Sequence, residues 1–207
     1  MGMVSETAEN KTAPFTRAAK MISWVFHPFV IIIPTMIISM YATTNDWLTA
    51  LGWTAVCIAF VVIPASLYIR RKVKRQEYTD ADVSVREHRS SIYLFMGIAE
   101  LLCFVTLVVF GAPQILIACF IAAILTLILG ALINTRTKVS AHMAGIGGCT
   151  AVLFYVSPVL GIFTIAASIA TGWARIYLKQ HTLTQVMIGW GMAVASVIAV
   201  FSIFALS

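Results

Sequence analysis

The stretch "WARIYLKQHTLTQVMIGW", residues 173–190, sets Arg175, Lys179, His181 and Gln185 between two of the most apolar runs of the chain. Residues four apart on a helix share a face, so the Gln185 carbonyl is placed to hold one nitrogen of the His181 imidazole. The second nitrogen then keeps an exposed lone pair, the form needed for nucleophilic attack on phosphorus. Arg175 would neutralise the phosphoryl oxygens. A plainer reading of the same residues has Arg175 and Lys179 snorkelling to a membrane interface and His181 capping a helix.

A second cluster, "NTRTKVSAHMAGIGG", puts Ser140 and His142 at the start of an apolar run that contains Gly145, Gly147 and Gly148. A helix start presents unpaired N–H groups and the positive end of the dipole. Lys138, the Ser140 hydroxyl and the amides of this glycine-rich segment would therefore cradle a phosphate, with His142 beside it. The competing reading is structural: the glycines allow close helix packing and Ser140 caps the helix.

A third segment, "YTDADVSVREHRSSIY", mixes Asp80, Asp82, Arg86, Glu87, His88 and Arg89. It is too charge-balanced for a simple basic tether and is expected to fold over the membrane face. Arg86 and Arg89 are its candidate phosphate ligands. Two ionisable residues inside apolar runs, His27 and Glu100, count as functional candidates by default, either pairing with each other or joining a headgroup pocket.

The elements that must position these groups are membrane spans. The 207 residues are 60% hydrophobic and only 11% charged, against roughly 25% charged in a soluble domain. Apolar stretches at about 19–42, 50–69, 91–110, 114–134, 142–158, 161–178 and 183–206 approach the ~20 residues of a spanning helix. The fifth and sixth are short and separated by Ser157-Pro158 and Gly161, so they read either as two short spans or as a partly re-entrant hairpin. The expected fold is all-α: one membrane-embedded bundle of six to seven helices over residues 17–207. Residues 1–16 read as a disordered polar tail with no signal-like apolar run. Cys57, Cys103, Cys119 and Cys149 all fall inside spans without metal-ligand spacing and read as small packing residues. Pro28, Pro34 and Pro64 are expected to kink or end helices.

All 14 Lys and Arg fall on alternate connections between these spans. Every basic residue then lies on one face, which the positive-inside rule makes cytoplasmic, with the N-terminus and the three clusters. The net charge of +6 reads as orientation and attraction to anionic headgroups, not as nucleic-acid binding.

The two histidine clusters resemble the motifs of the type 2 phosphatidic acid phosphatase superfamily, membrane lipid phosphatases related to vanadium haloperoxidases. The family's last motif, Ser-Arg, five residues, His, three residues, Asp, is similar to "ARIYLKQHTLTQ", with Ala174 for Ser and Gln185 for Asp. Its middle motif, Pro-Ser-Gly-His, is matched by "VSAH". Its first, Lys, six residues, Arg-Pro, is matched weakly by "DVSVREHRSS", where Asp82 stands for Lys and Ser follows Arg89. Familiar members have a loop where this chain has two further spans between the first and middle clusters. The resemblance covers roughly residues 80–195. It implies a lipid phosphate or diphosphate substrate, His181 as the nucleophile, His142 as the acid for the leaving oxygen, and a phosphate clamp of Arg175, Ser140, Lys138, Arg86 and Arg89. It also implies no metal and no other cofactor. Two alternatives stay open: a headgroup phosphotransferase, and a catalytically weakened lipid-binding or transport protein of the same fold.

Overall fold

A computed structural model describes residues 3–204, with side chains from residue 14 onward. The described residues are all-helical, with no strand among them. Helix α1 is Met3–Val25, α2 Pro28–Thr44, α3 Trp47–Lys74, α4 Arg89–Val109, α5 Gln114–Asn134, α6 Ala141–Val156, α7 Pro158–Tyr177 and α8 Leu183–Ile203. Five of these are long and apolar enough to cross a membrane, and six if α1 and α2 form one span bent by 47°. Helix α6, at 16 residues, is shorter than a full span. The polar stretch 1–16 runs into α1, and Met1 and Gly2 lie outside the described residues.

The prolines act locally. Pro28 occupies the first turn of α2, where its missing N–H is an orphan in any case, and His27 caps that helix by accepting the Phe29 N–H at Nδ1, 3.2 Å away. Ahead of Pro64, α3 opens into a π-helical turn at Ile58–Val62, with the Ile63 N–H reaching back to the Ile58 carbonyl. The wider turn absorbs a proline that would clash inside a regular helix.

Helix α6 is the centre of the bundle, packing against α2, α7 and α8, while α5 packs against α4 and α8. Close approach follows from small residues. A Cβ on Gly147 would lie 2.8 Å from the Trp190 carbonyl, one on Gly145 2.9 Å from Pro28, and one on Gly161 would overlap Phe154. The interior holds Met40, Cys103, Leu107 and Leu116, each almost fully buried, while Leu94, Ile98, Leu101 and Phe110 point outward, as expected of a lipid-facing surface. All four cysteines are free thiols, three of them buried.

One end of the bundle is closed by the segment between α3 and α4. Tyr78 is buried, stacks on His88 and shares a 2.7 Å hydrogen bond with Ser91; Asp80 accepts the backbone N–H and hydroxyl of Ser84. The expectation that this charged stretch folds as structure is met.

Candidate active site

The turn between α7 and α8 builds the first half of the site. Helix α7 ends with Lys179 in the left-handed region, φ 56°. The Gln180 N–H returns to the Arg175 carbonyl at 3.1 Å and the Lys179 N–H to Ile176 at 2.9 Å. These two bonds are a Schellman motif with lysine where glycine is usual. The His181 N–H joins the same Arg175 carbonyl at 3.3 Å. The backbone thus fixes the two residues to each other.

Helix α8 begins with a reciprocal capping box between Thr182 and Gln185. Gln185 Oε1 accepts the Thr182 N–H at 3.3 Å and lies 3.0 Å from His181 Nδ1. The first bond identifies Oε1 as the acceptor, so His181 donates from Nδ1 and Nε2 is left with its lone pair. His181 is 7% exposed. Burial, opposed in part by the bond to Gln185 and reinforced by the charges of Arg89, Arg175 and Lys138, lowers its pKa to about 4. The imidazole is therefore neutral at physiological pH.

Arg175 is 2% exposed. One terminal nitrogen donates to Asp82 Oδ2 at 3.0 Å, while its Nε is buried with no partner. Burial tends to raise the pKa of Asp82, but the neighbouring cations, Arg175 first, hold it below the usual carboxylate value. In the motif comparison Asp82 figures only as an odd occupant of a lysine position. Only the fold brings it across 93 residues to Arg175.

The "VSAH" segment docks directly on α8. A Cβ on Gly189 would fall 2.7 Å from the Ser140 carbonyl, and the Ser140 N–H reaches the Gln185 carbonyl at 3.5 Å. Ser140 is fully buried and caps α6 by accepting the Met143 N–H. Gly145, Gly147 and Gly148 lie inside α6, past the four free N–H groups of a helix start, so their amides are not available to a phosphate. This corrects the expected glycine cradle. Gly145 and Gly147 serve packing, and Gly148 borders a cavity. Lys138, half-buried, is depressed in pKa first by burial and then by Arg89.

His142 Nε2 lies 3.2 Å from the Ser23 carbonyl, so Nε2 carries the proton in that bond and Nδ1 holds the lone pair. His27 stands edge-on to His142, with ring centroids 5.0 Å apart. Arg175 is within electrostatic reach of both His142 and His181.

His27, Asp82 and His142 bring one potential metal-ligand atom each to within 4.8 Å of one another. Their present bonds do not suit a cation. His27 Nδ1 accepts an N–H, which leaves the proton on Nε2, and Asp82 already faces the Arg175 guanidinium.

The two arginines of the third cluster separate. Arg89, 5% exposed, donates from Nε to the Val83 carbonyl at 2.9 Å and from a terminal nitrogen to the Val139 carbonyl. It staples the α3–α4 segment to the Lys138–Ser140 segment. Val83 is buried with φ 49°, a left-handed conformation that a β-branched residue rarely takes. This strain sits next to Asp82. Arg86 instead bonds the Thr135 carbonyl at 3.3 Å and pairs with Glu87 at the surface, away from His181. Glu100 is buried halfway along α4 and does not touch His27; its Oε2 has no partner.

No family model, curated protein or solved structure matches the chain.

Proposed function

We propose that this integral membrane protein hydrolyses a lipid phosphate or diphosphate through a phosphohistidine formed on His181 Nε2. The observation that carries the reading is the pairing of a buried neutral imidazole, its tautomer fixed by Gln185, with a buried arginine whose Nε lacks a partner. An unpaired buried donor is costly, and an anion at this point would satisfy it.

In the first step the Nε2–P bond forms as the bond from phosphorus to the lipid oxygen breaks. Arg175 and Lys138 neutralise the phosphoryl oxygens, and His142, neutral in the free protein with a lone pair on Nδ1, gains a proton there as the phosphate anion binds beside it and gives that proton to the leaving oxygen. In the second step water attacks phosphorus, His142 takes the water proton, and the Nε2–P bond breaks to release inorganic phosphate. Ser140, buried under Gly189, and Arg89, bound to two carbonyls, hold the cradle in shape. Arg86 has no part in it. The basic residues gather at this end of the bundle, and the positive-inside rule makes it cytoplasmic. Newly made intermediates such as phosphatidate, phosphatidylglycerophosphate or isoprenoid diphosphates fit that side.

The test is release of inorganic phosphate by the purified protein from a panel of these three lipid classes. Release from at least one, abolished in His181→Ala, is expected. Headgroup transfer to an added alcohol without free phosphate would favour the phosphotransferase. Lipid binding with neither product would favour the transport or binding protein.

A further inference from the structure

A cavity of about 340 Å³ lies inside the bundle, and its position beside the site is not explained by the chemistry above. His27, Asp82, Arg89 and His142 stand at one end of it. From there it follows α4 from Arg89 to Glu100 and α6 from His142 to Val152, a run of about 15 Å at the helical rise. Its walls are almost wholly apolar, with contributions from α2, α3, α5 and α8 such as Met36, Val61, Ala123 and Val197. The volume is near the lower end of the range for ligand pockets, roughly 300–1,000 Å³.

Two details make this more than a packing gap. Gly148 borders the cavity and has no atom within 4 Å of where its Cβ would be, so a site that packing would readily fill is left open. Glu100, 8% exposed, lines the same space with Oε2 unpartnered. A lone carboxyl in an apolar cavity is costly and interrupts an otherwise smooth wall.

We propose that the cavity receives a hydrocarbon chain of the lipid phosphate, headgroup at the end where Arg89 and His142 stand, with Glu100 marking how far the chain runs. The proposal rests on the phosphatase reading and gives its substrate a chain-binding subsite inside the bundle, so long-chain phosphates should engage residues that short-chain ones do not reach. Burying the chain inside the bundle would hold the phosphate near Arg89 and His142; Arg89 also lies within electrostatic reach of His181.

The experiment uses the full chain in detergent or nanodiscs with a long-chain n-alkyl phosphate carrying a photoreactive diazirine at its terminal carbon. Peptide mapping should place the label around Glu100, and a short-chain analogue should label near Arg89 instead. Gly148→Leu should cut labelling at Glu100 at least tenfold while leaving release of phosphate from a short-chain phosphate unchanged. The wild-type chain-length comparison stands even if Gly148→Leu does not fold. Label confined to the outward residues Leu94, Ile98 and Leu101, or equal labelling by the corresponding long-chain alcohol without phosphate, would overturn the proposal. Labelling at Glu100 without phosphate release from any substrate would sink the phosphatase reading and leave the chain site standing. Phosphate release with only outward labelling would do the reverse.

Discussion

His181 Nδ1 lies 3.0 Å from Gln185 Oε1, and that oxygen also takes the Thr182 N–H. The amide therefore cannot turn over without losing both bonds, and the imidazole is held in the tautomer that frees Nε2. A glutamine does this by geometry alone. It brings no charge to offset the positive charge that His181 would gain in the proposed attack.

Gln185→Asp should supply that charge. A carboxylate beside Nδ1 favours the protonated ring, so the His181 pKa should rise from about 4 and the acid limb of kcat/KM should move to higher pH with it. In the wild type the acid limb set by His181 should lie near pH 4. A pH–rate profile of both proteins checks this, and unchanged limbs would remove His181 from the rate equation. Because the folded pKa is depressed from 6.5, the unfolded chain takes up the proton first, so wild-type stability should fall as pH drops from about 6.5 to about 4.

Asp82→Asn removes the carboxylate that pairs with a guanidinium only 2% exposed. Leaving a buried charge uncompensated should destabilise the protein by about 3 kcal/mol. Phosphate or vanadate should then restore more stability to the variant than to the wild type, because the anion replaces the lost partner. Thermal melts with and without vanadate read this directly, and an equal anion effect in the two proteins would argue against Arg175 as the phosphate clamp.

Thr182→Ala breaks the capping box and should lower stability by about 1 kcal/mol. It also loosens Gln185, so kcat should fall by roughly tenfold or more, toward the 10²–10⁴ worth of a positioned acid or base. Thr182→Ser should restore both. A loss of stability with kcat untouched would make the cap purely structural.

Lys179 holds φ 56° at the end of α7. Relieving the left-handed strain with Lys179→Gly should stabilise the protein by up to about 1 kcal/mol, with phosphate release within about twofold of wild type. A large loss of activity would mean that the lysine charge, not its turn, is what the site uses.

Much of this arrangement was legible in the residues. Apolar runs and the placement of the basic residues marked the helices and which of their ends lie together. The spacing of His181 and Gln185 marked their contact, because a four-residue interval on one helix is a local property. Ser140 announced itself as a cap for the same reason. What escaped was non-local or atypical. Asp82 meets Arg175 only through the folded segment after α3, and no periodicity encodes that encounter. Gly145, Gly147 and Gly148 suggested an anion cradle because composition does not say how far into a helix a glycine falls. The Schellman turn was hidden by a lysine at the position where glycine is the usual signal.

The central claim is a covalent bond between His181 and phosphorus, and trapping that bond tests it most directly. His142→Ala should still form the intermediate from a phosphate ester whose leaving group needs no proton, but should hydrolyse it slowly. Incubation with a radiolabelled aryl phosphate, followed by alkaline quench and peptide mapping, should show an acid-labile, alkali-stable phosphate on His181, absent from His142→Ala/His181→Ala. Label on another residue, or phosphate release that persists in His181→Ala, would contradict the account.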